Sequence, residues 1–179
     1  MEIERLDVFL DYLASVHRRT RRVVELIPAA DLEWAPAPGK FTFGDIVRHL
    51  AGIERWMYAE TVSGRPSRYP GHGRELAMDA PGALGAGGTP RDALLAYYDR
   101  LHEESRALFA ALDAAALRGR SVTPAGSEIT TWKWLRAMLE HEAHHRGQLY
   151  LMLALRGIPT PPIYGLTAEQ LEALSVVRP

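Results

Sequence analysis

His141-Glu142-Ala143-His144-His145-Arg146-Gly147-Gln148 places three of the chain's seven histidines within five residues. It lies inside a run, Trp134 to Leu155, whose flanks read as a buried amphipathic helix. Helical positions four apart differ by only about 40° around the axis, so His141 and His145 project together and can clamp one ion. His144 lies about 100° from His145 and about 60° from His141 by the same geometry, which assigns it to packing or hydrogen bonding. Trp134, Met138, His141, His145, Leu149 and Met152 share one arc, so the histidine pair faces the core. A divalent ion held by protein side chains usually needs a third ligand from elsewhere in the chain.

That ligand is sought on the other helical segments. From Ile3, the positions Leu6, Leu10, Leu13, His17, Thr20, Val24 and Ile27 recur at spacings of three and four until Pro28, which predicts a first helix. Thr42 can cap a second helix whose stripe is Ile46, His49, Leu50, Ile53, Trp56 and Met57, closed by Ser63-Gly64. Thr89-Pro90, with Asp92 in the first turn, starts a third along Leu94, Tyr98, Leu101, Ser105, Leu108 and Leu112. The histidine helix follows from Thr130-Thr131 to about Arg156, ended by Gly157 with Pro159 beyond, and a short helix is expected over Thr167 to Leu174. No strand pattern competes with these. The fold expected is all-α: one four-helix bundle domain over residues 1–179, with long connections between helices 2 and 3 and helices 3 and 4. The first, about 64–88, is glycine- and proline-rich and reads as a lid or an insertion; the tail from about 157 is proline-rich.

His49 sits mid-stripe on the second helix, where an unsatisfied buried imidazole costs about 1–3 kcal/mol. Convergence of His49, His141 and His145 on one ion satisfies all three. His17, also on an apolar stripe, reads as a hydrogen-bonded core histidine or as support for a pocket. His72 lies in the long loop and His102 on the flank of the third helix, and neither gains a role from sequence.

Composition narrows the chemistry. The chain has 179 residues with 21 basic and 22 acidic side chains, a balance that lacks the electrostatic footprint of nucleic-acid or anionic-membrane binding. Arg18, Arg19, Arg21 and Arg22 read as a solvated helix face. Cysteine is absent, which leaves nitrogen and oxygen donors for any metal. The N-terminus has neither the basic nor the apolar region of a signal peptide, and no apolar run approaches a membrane span, so a cytoplasmic location is expected.

Two other metal architectures share parts of this pattern. His141-Glu142-Ala143-His144-His145 matches the zinc-protease signature literally, with Glu142 as the base, but its extended form needs glycine at Gln148 and histidine at Leu151. Glu142-Ala143-His144-His145 also matches one arm of a di-iron bundle, whose second arm has only Asp99-Arg100-Leu101-His102 to draw on, with Asp99 turned away from its helix's stripe.

The block His141 to Gln148, together with Phe41-Thr42-Phe43-Gly44-Asp45-Ile46-Val47-Arg48-His49-Leu50-Ala51, resembles the DinB/YfiT-like bacterial proteins. Trp34 with Pro36 to Lys40, and Pro161 to Leu166, extend the resemblance over nearly the whole chain. It implies a four-helix bundle with a His49, His141, His145 metal site, usually nickel or zinc, often in a homodimer. Some relatives are thiol transferases or isomerases using bacillithiol, mycothiol or glutathione; many have no known reaction. A three-imidazole site leaves a coordination position open, where water or a thiol becomes more acidic. The functional expectation is therefore a metal-dependent thiol transferase or hydrolase acting on a small thiol or an electrophilic substrate. The alternative is a non-catalytic, stress-associated metal protein in which the ion pins two helices. Arg146, Arg18, Arg65, Arg68 and Arg74 are candidates to receive a cosubstrate carboxylate, and Gln148 either orients a ligand or makes an ordinary interhelical bond.

Overall fold

The computed structural model describes residues 2–78, 90–163 and 165–175. The first helix, α1 (Leu6–Val24), ends before Pro28, and a 3-10 turn at Ala29–Asp31 follows. Next comes α2 (Phe43–Ile53), whose start is a reciprocal cap. The Thr42 hydroxyl accepts the Asp45 N–H, and the Asp45 carboxylate accepts the Thr42 N–H, each at 3.0 Å. The free N–H groups of Phe43 and Gly44 donate to the carbonyls of Trp34 and Leu32, so the linker from α1 seals this helix end.

After Ile53 the helix widens into one π turn, Glu54–Tyr58, and resumes as α3 (Ala59–Val62). The extra residue rotates the buried stripe of the residues beyond it. Ile53 and Met57, expected inside, are only half-buried, while Glu54, Tyr58, Ala59 and Val62 are buried instead. The Trp56 carbonyl accepts the Arg68 N–H at 2.7 Å, which binds the following loop to the widened turn.

A second 3-10 turn, Glu75–Met78, leads toward residues 79–89, which lie outside the described residues; the Thr89 start signal and part of the expected lid fall there. Next are α4 (Pro90–Ala110) and α5 (Ala114–Arg118), the latter capped by Asp113. The expectation of no strands is corrected by a hairpin, β1 (Arg120–Val122) with β2 (Glu128–Thr130), paired Arg120 to Thr130 and Val122 to Glu128. Three residues per strand are too few for an alternation to register in sequence. Then α6 (Thr131–Leu155) carries the histidine block and stops at Gly157, φ +69°, and α7 (Ala168–Ser175) follows.

Helices α1 and α2 each pack against both α4 and α6, which makes an all-α four-helix bundle. Its interior is layered. One apolar cluster gathers Val23, Phe43, Leu50, Leu94, Leu101 and Leu149; the other gathers Phe9, Leu13, Tyr58, Phe109, Leu135 and Met138. Between them along the helices come buried polar residues, among them His17, Thr20, Glu54, His102, Glu142 and Arg146.

Thr42→Ala removes one half of the capping box and is expected to cost about 1 kcal/mol of unfolding free energy, read as a lowered urea midpoint at unchanged slope. An unchanged midpoint would mean that the linker carbonyls alone hold this helix start.

Candidate metal centre

His49, from α2, meets His141 and His145, from α6, at their Nε2 atoms. The His141 Nε2 lies 3.1 Å from that of His49 and 3.2 Å from that of His145, and one ligand atom from each ring falls within 4.8 Å of the others. Two nitrogens bound to one ion at about 2.0–2.1 Å, about 100° apart, are separated by about 3.1–3.2 Å. The spacing is that of a ligand set.

Protonation strengthens the point. Tyr69 gives its single hydroxyl proton to Glu75 at 2.7 Å, so the same oxygen accepts from His49 Nδ1, also at 2.7 Å. The Gln148 oxygen accepts from His145 Nδ1 at 2.8 Å, while its amide nitrogen donates to His144 at 3.1 Å. Both Nδ1 atoms therefore carry protons, and both Nε2 atoms present lone pairs. His141 can donate to only one of them. Burial and the neighbouring rings push His49 down to about 3 and His141 to about 4; burial also lowers His145, against its bond to Gln148. At neutral pH three uncharged imidazoles converge with more acceptors than protons, a donor set that a divalent cation satisfies.

The support for His49 comes from the loop. Glu75 is 1% exposed, and it reaches Tyr69 past Gly52, where an added Cβ would lie 3.0 Å from the Trp56 ring and 3.1 Å from Glu75 Cγ. Neither Tyr69 nor Glu75 was expected from sequence. The available signal was Gly52 itself, since glycine inside a helix costs about 1 kcal/mol and marks a close approach. Phe41 lies parallel to His145, centroids 6.1 Å apart, and His72 stacks on Phe41 at 3.8 Å, which brings His72 to the edge of the group.

The other candidates are engaged with partners outside the histidine group. Glu142 is buried and accepts the Tyr98 hydroxyl at 2.6 Å, which removes it from the role of a protease base. Burial, then Glu54, raises its pKa. Arg146 is also buried and donates to Thr20, so it is not open to a cosubstrate carboxylate. Arg65 and Arg68 both pair with the buried Glu60. Asp99 accepts from His17 at 2.9 Å and from Arg21, and His102, expected on a flank, is buried with its Nδ1 3.0 Å from Glu54; the second di-iron arm is thus engaged elsewhere. His17 is the core histidine expected, stacked on His102 at 3.7 Å, although its Nδ1 has no hydrogen-bond partner among the described residues.

A helical bundle that gathers three neutral imidazoles in its interior defines the class. The chain belongs to the DinB superfamily, whose family model matches residues 12–149. Solved structures of the same fold include the DinB-like protein YjoA of Bacillus subtilis, at 18% identity and TM-score 0.65, covering 88% of this chain and 96% of that one. A DinB-like protein of Bacillus cereus aligns at 16% identity and TM-score 0.67, covering 89% and 97%. At these identities the likeness concerns the fold. No curated protein matches the chain. Among the described residues, no helix is long and apolar enough to cross a membrane.

Tyr69→Phe is expected to weaken zinc or nickel binding roughly 10–100-fold by calorimetric titration, with His102→Ala unchanged; equal affinity in Tyr69→Phe and wild type would show that the Glu75–Tyr69 relay does not orient His49.

The stacked pair His17 and His102 should share one proton. Burial and the facing His102 lower His17 to about 4; burial opposes charge on His102, but Glu54 outweighs it and raises that pKa. Below the ordinary value of 6.5 the unfolded chain binds a proton that folded His17 refuses, so its contribution to stability falls as pH drops from there to about 4. His102 acts oppositely, and its contribution is lost as pH rises through its raised pKa. Ring signals followed by NMR should show His17 neutral at pH 5 while His102 is charged, and a common titration of both rings near 6.5 would refute the assignment.

Proposed function

We infer that the chain is a metal-dependent enzyme that holds a divalent ion, nickel or zinc, on His49, His141 and His145, and acts on a small thiol or water in a thiol-transferase-like or hydrolase-like reaction. The observation that carries this reading is the convergence of three Nε2 atoms, two of which, on His49 and His145, present lone pairs because their rings' Nδ1 protons go to Tyr69 and Gln148. Bound there, a divalent ion supplies Lewis acidity and draws down the pKa of water or a thiol.

The protein's own residues perform the rest. The Glu75–Tyr69 pair and Gln148 hold two rings in the tautomer that offers Nε2, so little reorganisation is needed on loading. Because the chain has no cysteine, a thiol nucleophile has to arrive as a small molecule. His145 also lines an open groove, which gives such a molecule a way in; a purely structural ion is usually enclosed by four protein ligands.

Elemental analysis of the purified protein beside His49→Ala, His141→Ala and His145→Ala is expected to find near-stoichiometric metal in wild type and little in any variant. Retention of the ion by a variant removes that residue from the ligand set. Turnover of electrophiles with bacillithiol, mycothiol or glutathione, lost on chelation while the far-ultraviolet spectrum persists, supports catalysis. Unfolding on chelation, with no turnover for any thiol or ester, supports the non-catalytic alternative.

A further inference from the structure

A groove of about 620 Å³ opens beside the histidine group, within the range of about 300–1,000 Å³ typical of small-molecule sites. Its α6 side follows successive turns, His145, Gln148, Met152 and Leu155, a span of about 15 Å at 1.5 Å per residue. Ile46 and Met152 are buried in it, whereas Leu151 and Leu155, also lining it, are 62% and 61% exposed. Apolar side chains this exposed on the wall of a concavity are unpaid hydrophobic surface, which a ligand can cover.

The facing wall comes from the turn between Pro36 and Phe41. The Lys40 N–H donates to the Ala37 carbonyl at 3.1 Å, and Gly39 at φ +73° supplies the left-handed step that closes this turn. Lys40 is exposed and carries the one fixed charge among the described residues that line the groove. An elongated apolar trough with a single ammonium and a histidine of the metal group in its lining selects for shape, apolarity and one negative charge together.

We propose that this groove binds an amphipathic carboxylate, an acyl or aryl chain with one anionic end, its apolar body against Leu151, Met152 and Leu155 and its carboxylate paired with Lys40. Such a molecule is the substrate class of the proposed enzyme. That last assignment rests on the metal-centre reading, whereas the binding chemistry of the groove does not.

Octanoate and octanamide, equal in apolar length and different in charge, separate the terms. Each is titrated into metal-free protein carrying 13C-methyl methionine, with the Met152 signal assigned through Met152→Leu. Octanoate is expected to shift the Met152 methyl saturably, and octanamide to bind several-fold more weakly. Lys40→Glu should weaken octanoate by about three- to tenfold and leave octanamide unchanged, the size of an exposed charge pair and its reversal. Leu151→Glu, at an exposed position, should weaken both. Equal affinity for the two probes, or no saturable shift at Met152, overturns the proposal. So does a wild-type dimer that excludes octanoate and becomes a monomer in Leu151→Glu, because the groove is then an interface between copies.

Nickel loading distinguishes this from failure of the metal reading. Faster relaxation of bound octanoate protons on the nickel-loaded protein supports both. Binding of octanoate to a protein that takes up no ion sinks the metal reading and leaves the groove, and uptake of ion without octanoate binding does the reverse.

Discussion

Three imidazole Nε2 atoms converge, His141 lying 3.1 Å from His49 and 3.2 Å from His145, yet His141 can place a proton toward only one of them, and this shortage of protons is the constraint on which the site depends. Two lone pairs are created on purpose, in the chemical sense that the opposite ring nitrogens are occupied by Tyr69 and Gln148. Were either relay absent, a ring could reverse its tautomer and close the gap with a proton. Burial adds to the effect by holding the rings neutral at physiological pH. The outcome is a set of donors in place before any ligand arrives, the condition under which a bound ion can be put to chemical use.

Helix α6 serves two polar systems at once. One arc presents His141 and His145 to the histidine group; the residue that follows each, Glu142 and Arg146, turns toward Tyr98 and Thr20. Both systems lie in the middle of the bundle, with an apolar cluster beyond each end. Such a layer costs desolvation, and it is tolerated because most of its polar atoms are paired. Glu54, at the start of the π turn, continues the buried face of Val47 and Leu50 and meets His102, while His49, one turn earlier, faces the other system.

The helices were legible because burial of one face imposes a period of 3.6 on the sequence, and α1, α2, α4 and α6 each show it. The pair His141 and His145 was legible for the same reason, since a spacing of four is a geometric statement within one helix. His49 could be nominated from its place on an apolar stripe, although nothing in its own segment says which neighbour it meets. One misreading came where a local irregularity broke the period. The π turn left Met57 only half-buried; Ile53, just before it, is half-buried too, and His102, judged a flank residue of the regular helix α4, is inside. The relay of Tyr69 and Glu75 lies in a loop whose residues obey no period, and the one signal, Gly52, marks a close approach without saying which residue approaches.

By itself, the order of residues determined that the chain would bury four helical faces, that sulfur chemistry of its own was excluded, and that two imidazoles would share one side of the last long helix. These are consequences of composition and of a fixed helical rise and turn, which act within a segment. Only the tertiary structure decided that His49 reaches that pair at 3.1 Å, that Tyr69 and Gln148 select the tautomers, and that Glu142 and Arg146 serve a different network. Distances between helices depend on how side chains of several segments interlock, and that information is shared among residues far apart in the chain, so no single stretch of it can be read for the answer.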